Sequence, residues 1–342
     1  MHRRLRSAAR VLVLGDVRKA RRAPIPDITP QELREIKRFF PRDKFFILGH
    51  PRSGTTLLMR LLRLHPDVHC NYQAHFFTRK PLLKSLVDTP EAEEWLTRKS
   101  NRWNHGGDLS APVLRAAADF IMEREAAAQG KRIVGDKSPS STIHGQAIRD
   151  LHSLYPDARV IYIIRDGRDV LISERFRNFV EESRFLNPED KSIMQRLKQN
   201  PQVFGYGKSS IFTEAMIRRV AEGWSTNVAE IDAEGKRLFG TRYHTVRFED
   251  LLAGPFDELR HLWAFLRARK AGPSIEKAVR KELQSNPDEE WQARRNESMA
   301  PFLLKGQTGG WRQLLTQRDR EVFKGLAGQT LVDWRYETSL DW

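Results

Sequence analysis

Eight residues set the tightest limit on what this chain can fold into: Gly49-His50-Pro51-Arg52-Ser53-Gly54-Thr55-Thr56. They lie between an apolar run, Phe45-Phe46-Ile47-Leu48, and a stretch with Leu57, Leu58, Leu61 and Leu62 at helical spacing. Such a run reads as a buried strand and such spacing as an amphipathic helix. A glycine-containing turn at a helix N-terminus aims several backbone N–H groups at one point, which suits an anion. The Gly-x4-Gly spacing matches the nucleotide P-loop, but that motif continues with Lys and Ser/Thr. Here Thr55 stands at the Lys position, and the cation, Arg52, has moved inside the loop. An ATPase or GTPase would lose its charge on the β/γ-phosphates by that exchange. The loop therefore suits a ligand with fewer phosphates in line.

The flanking pattern extends this unit. Thr29-Pro30-Gln31-Glu32 opens a capped helix. Further strands are predicted at Ile133-Val134, Val160–Ile164 and Tyr243–Val246, with helices within 81–100, 110–129, 141–154, 168–176 and 211–235, from about 256, and after Thr316. Strands separated by helices predict an α/β, three-layer, P-loop-like fold, with a central, mostly parallel sheet and helices on both faces. Residues 177–209, with weak periodicity and Gly205-Tyr206-Gly207, read as an irregular or partly helical insertion suited to a substrate lid. Residues 286–311 are polar and loop-rich. Without repeats or a linker, the chain divides into a basic arm over 1–28 and a single domain over 29–342.

Charge adds a partner. The 342 residues carry 59 basic and 44 acidic side chains, a net +15, and residues 1–22 hold eight Arg/Lys against Asp16 alone. That excess suits an anionic ligand or an acidic membrane surface, with nucleic acid not the expected partner. Peripheral contact with anionic lipid through residues 1–22 competes with a solvated tail. The lone Cys70 excludes a disulfide framework and a Cys-cluster metal site, and no metal is expected. The aliphatic run Val11–Leu14 is far shorter than a membrane span or a secretory core, so the expected location is cytoplasmic.

The loop, with its flanks, resembles the 5′-phosphosulfate loop of sulfotransferases that use 3′-phosphoadenosine 5′-phosphosulfate (PAPS). Val160-Ile161-Tyr162-Ile163-Ile164-Arg165-Asp166-Gly167-Arg168-Asp169, running on to Ser173, is similar to that family's 3′-phosphate segment. Arg offers fork-shaped donors at a strand end, and a Ser eight residues later can converge on the same phosphate. Gly135-Asp136-Lys137-Ser138-Pro139 resembles a Lys-containing family motif, and Leu304-Lys305-Gly306 through Gly309-Gly310-Trp311 the segment that closes over the nucleotide. There the family's leading Arg is Leu304 and its Asp is Gly310, which leaves Lys305 and the Gly306 backbone as contacts. Val246–Leu252 resembles a structural family segment. The resemblance spans roughly residues 44–336.

It implies transfer of a sulfuryl group from PAPS to a hydroxyl or amine of a small-molecule, glycan or lipid acceptor. Arg52, Ser53, Gly54, Thr55 and Thr56 would hold the 5′-phosphate end, and Arg165, Ser173, Lys305 and Gly306 the 3′-phosphate. Lys137 would sit on the sulfuryl oxygens, and Arg52 would also meet charge on the leaving oxygen. Relatives often carry a Glu base after the first helix, but Gln73 stands there in Tyr72-Gln73-Ala74-His75-Phe76-Phe77. His75 is the nearest titratable candidate for the base; His69 and Asp136 are alternatives. Two other readings compete: a kinase-like phosphotransferase, and a non-enzymatic basic protein binding nucleic acid or membranes.

Overall fold

The computed structural model describes residues 24–79, 82–140, 144–272, 274–285 and 308–342. Most of the basic arm, and with it the region 1–22, lies outside them, as do Lys305 and Gly306. Packing begins ahead of the first helix: Ile28 is buried, and its N–H donates to the Ser153 carbonyl at 2.8 Å.

Five strands form one sheet: β1 (Asp43–Gly49), β2 (Val68–Tyr72), β3 (Ile133–Lys137), β4 (Arg159–Ile164) and β5 (Tyr243–Arg247). Their order is β2-β3-β1-β4-β5, and every pairing is parallel. Helices connect them: α1 (Pro30–Phe39), α2 (Thr55–Leu62), α3 (Pro90–Thr97), α4 (Ser110–Ala128), α5 (His144–Leu154), α6 (Gly167–Glu181), α7 (Pro188–Gln199), α8 (Glu214–Phe239), α9 (Phe248–Ala253), α10 (Pro255–Phe265), α11 (Ile275–Gln284) and α12 (Gln317–Asp333). The predicted three-layer architecture is the observed one.

Strand alternation divides the core in two. Phe46, Leu48, Val134, Val160 and Tyr162 face α4, α5, α8 and α12, while Phe45, Ile47, Cys70, Ile161 and Ile163 face α2, α10 and α11. Gly135 lies on the second face because it has no side chain: a Cβ there would stand 2.6 Å from the Phe45 ring. α1 begins with the capping box that Thr29 and Glu32 predict.

The structure departs from the sequence pattern in two places. β2 carries no predictive signature, because Val68-His69-Cys70-Asn71-Tyr72 is short, lies on the sheet edge and alternates with polar residues. Residues 177–209 are more regular than expected. α6 runs on to Glu181, α7 follows, and Ile193, Leu197 and Phe204 insert into the first core. The stretch is thus packed as part of the domain rather than laid loosely over it.

The chain leaves β1 for β2 and β3 on one side, then crosses to β4 and β5 on the other. In parallel sheets that reversal opens a crevice at the carboxyl ends of the strands. Gly49, Tyr72, Lys137, Ile164 and Arg247 end the five strands along this edge. Gly135→Ala should lower unfolding stability by about 1–3 kcal/mol through overpacking against Phe45, read as a shift of the denaturant midpoint with an unchanged slope.

Candidate active site

After Gly49 the backbone turns sharply. Arg52 and Gly54 both have positive φ, 72° and 89°. At Gly54 only glycine fits, since a Cβ would lie 2.3 Å from the Phe248 ring. Gly54 caps α2, yet no side chain bonds the cap and no acid occupies the first turn. The free donors at a helix start, with the positive dipole end, favour an anion there. Ser53 adds a buried hydroxyl without a hydrogen-bond partner among the described residues.

The second motif meets this loop. Arg52 Nε donates to Ser173 Oγ at 2.9 Å, and Arg165 Nη1 donates to the Arg52 carbonyl at 3.2 Å. Asp166 caps α6, the helix that carries Ser173. Arg165 also stands over the Phe248 ring, 4.7 Å from its centre. Trp224 is a packing residue, as its surroundings show: its Nε1 donates to the Arg165 carbonyl at 3.1 Å, and a Cβ on Gly167 would come within 2.5 Å of its indole.

Lys137, at the end of β3, approaches from the other side. Its Nζ donates to Thr56 Oγ1 at 3.1 Å and lies 3.9 Å from the centre of the Tyr72 ring. Burial pushes the ammonium down to about 8, against the pull of Cys70 and Asp136. The structure therefore brings Arg52, Ser53, Gly54, Thr55, Thr56, Lys137, Arg165 and Ser173 to one end of the sheet.

The three base candidates separate. His69 lies on the α4 face of β2, buried, with Nε2 3.3 Å from Asn71 Oδ1 and 3.4 Å from the Glu125 carboxylate. That face is opposite the one from which Tyr72 meets Lys137. Asp136 is buried with both carboxylate oxygens occupied, by the Ala74 N–H at 2.9 Å and by the Ser138 hydroxyl. His75 Nδ1 shares a hydrogen bond with the Thr78 hydroxyl at 2.8 Å, while its Nε2 is buried and unpartnered among the described residues. Burial, then Arg79 and Lys137, lower this imidazole to about 4, so it is neutral at pH 7.

Sequence reasoning missed what ties these pieces together. Asp169 accepts the N–H groups of Gly309 at 2.7 Å and Trp311 at 3.2 Å, anchoring the chain where it follows Lys305 and Gly306. Arg168 is held by Asp166 and Glu337 and lies 3.6 Å from the centre of the Trp311 ring. The alternating Arg and Asp of 165–169 were the available signal. The 246–252 segment is structural: Phe248 packs on Gly54, and Glu249 accepts from the Asp166 N–H at 3.0 Å and the Tyr336 hydroxyl at 3.0 Å.

A family model for the sulfotransferase family matches residues 43–270, about two thirds of the chain. The chain belongs to the sulfotransferase family. Protein-tyrosine sulfotransferase A of Caenorhabditis elegans is 32% identical over 127 residues, 36% of this chain and 30% of that protein. Nodulation protein NoeE of Sinorhizobium fredii is 34% identical over 131 residues, 35% of this chain and 28% of that one. The matched region thus spans under a third of these relatives. Among solved structures, mouse sulfotransferase SULT7A1 complexed with PAP overlaps 89% of this chain and 90% of its own, with a TM-score of 0.46 and 14% identity. Family membership speaks against both the kinase-like and the non-enzymatic readings.

The position of Lys137 generates a pH prediction. It is cationic below about 8 and loses its charge above that value. Turnover should accordingly fall as pH rises through about 8. Lys137→Met should cost on the order of 10²–10³ in rate and abolish that alkaline limb in a pH–rate profile.

Proposed function

We propose that this sulfotransferase takes PAPS as donor and moves the sulfuryl group, by in-line displacement, to a hydroxyl or amine of a small-molecule, glycan or lipid acceptor. The observation that carries this reading is the junction of Arg52, Ser173 and Arg165, which unites a 5′-phosphate loop with a 3′-phosphate segment. The bound donor supplies an activated sulfur and a nucleotide leaving group. The residues present fit its anionic groups: an uncapped helix start, the unpartnered Ser53 hydroxyl and two arginines at one edge.

In this reading the N–H groups of Ser53 to Thr56 and the hydroxyls of Thr55 and Thr56 hold the 5′-phosphate. Arg165 and Ser173 take the 3′-phosphate, joined by Lys305 and the Gly306 backbone. Arg52 neutralises charge growing on the leaving oxygen, and Lys137 steadies the sulfuryl oxygens. Preorganised charge of this sort is the largest catalytic contribution in most group transfers. His75 Nε2 receives the acceptor proton, with no carboxylate available at Gln73. Tyr72, exposed beside Lys137, forms part of the acceptor side.

We place the enzyme in the cytoplasm, with residues 1–22 resting on anionic lipid. No helix among the described residues is long and apolar enough to cross a membrane. Vesicles containing anionic lipid should bind the full chain with an affinity that falls steeply with salt. Salt-independent binding, or none, returns the arm to a solvated tail.

The donor assignment has a direct test. Calorimetric titration should show 3′-phosphoadenosine 5′-phosphate (PAP) binding far more tightly than AMP, because a charge-assisted contact is worth roughly 1.5–3 kcal/mol. Arg165→Ala should remove most of that preference. Equal wild-type affinities for the two nucleotides would defeat the 3′-phosphate assignment.

A further inference from the structure

We infer that Asp136 and Ser138 are positioning residues for the transfer, locking the turn Gln73-Ala74-His75 onto the end of β3 and so fixing His75 relative to Lys137. The inference rests on the reading of His75 as the base.

Three successive backbone N–H groups of the turn are taken by three successive residues of β3 and its exit. Gln73 donates to the Lys137 carbonyl, Ala74 to Asp136 Oδ1 and His75 to Ser138 Oγ, each at 2.9 Å. The Ser138 hydroxyl in turn donates to the other oxygen of Asp136, so the two side chains act as one unit. Asp136, Ser138 and His75 are all buried.

The turn needs such a hold. Gln73 and His75 have φ of 56° and 54°, the left-handed region that L side chains seldom adopt. Two such residues separated by one persist only where their surroundings over-determine them. The strain is local and the restraint comes from about sixty residues downstream, since the Ala74 and His75 contacts span 62 and 63 positions.

Strand alternation explains why one tripeptide serves both ends of the chemistry. Side chains at 136 and 138 share a face of the sheet, and 137 points to the other. Lys137 therefore reaches Thr56 on the α2 face while its neighbours grip the turn from the α4 face. Any shift of β3 moves the sulfuryl-side cation and the base together. In this role Asp136 is engaged through both oxygens, by the Ala74 N–H and the Ser138 hydroxyl.

The test uses the full chain and five variants: Asp136→Ala, Ser138→Ala, the two combined, Asp136→Asn and His75→Gln. Asn keeps an acceptor for Ala74 and a polar contact to Ser138, so it reports whether the clamp can be partly restored. Amide hydrogen exchange needs no acceptor. The amides of residues 73–75 should exchange at least tenfold faster in Asp136→Ala, with α2 amides unchanged and PAP affinity within threefold of wild type. Release of labelled sulfate from PAPS, with water as probe acceptor, should fall at least tenfold in both alanine variants at saturating donor. Asp136→Asn should recover part of both effects. The double alanine variant should be no worse than Asp136→Ala, because residues acting as a unit are not additive. Unchanged exchange at 73–75, or PAP affinity lost in step with the rate, overturns the clamp. A His75→Gln chain with the wild-type rate refutes the base reading instead, and the exchange result then decides the clamp by itself.

Discussion

The uncapped start of α2 is the constraint to which the rest of the site conforms. A helix whose first N–H groups lack a side-chain acceptor is stable only when water or an anion meets them. Gly54 makes that geometry by turning left-handed against the Phe248 ring, so neither a cap nor a Cβ intervenes. β1 delivers the turn to the middle of a parallel sheet, and the other strands end on the same edge. Lys137, Arg165 and Ser173 from the later motifs are therefore brought beside this loop.

Cations gather at that edge at an electrostatic cost. Lys137 is driven down to about 8 by burial, though Cys70 and Asp136 partly compensate. Arg52 and Arg165 lie close enough for one to bond the other's carbonyl. Clustered cations of this kind favour an anionic ligand. Nearby charges that do not face the ligand are neutralised within the fold, as with Arg168 between Asp166 and Glu337.

The turn beside β3 is built differently, from strained backbone and neutral side chains. Gln73 opens it, and the His75 imidazole is kept uncharged by burial and by Arg79 and Lys137. Hydrogen bonds from the Ala74 and His75 amides couple that turn to β3 and its exit.

Much of this was legible in the linear chain. The apolar runs of β1 and β4, the leucine spacing of α2 and the Gly49–Thr56 loop fix their own local structure, because strand and helix periodicities are short-range properties. The segment from Arg165 to Ser173 stood out by resemblance, but the contact of Ser173 with Arg52 did not. β2 was not, since an edge strand with His69 and Asn71 on one face has no apolar rhythm to detect. Nor could spacing choose among His69, His75 and Asp136, which lie within or beside adjacent strands and differ only in what surrounds them. The fold buried His69 against Glu125, engaged both oxygens of Asp136, and left His69 Nδ1 and His75 Nε2 buried without a partner among the described residues. Those outcomes depend on contacts between residues about sixty positions apart, and only a closed tertiary structure brings such groups within hydrogen-bond range.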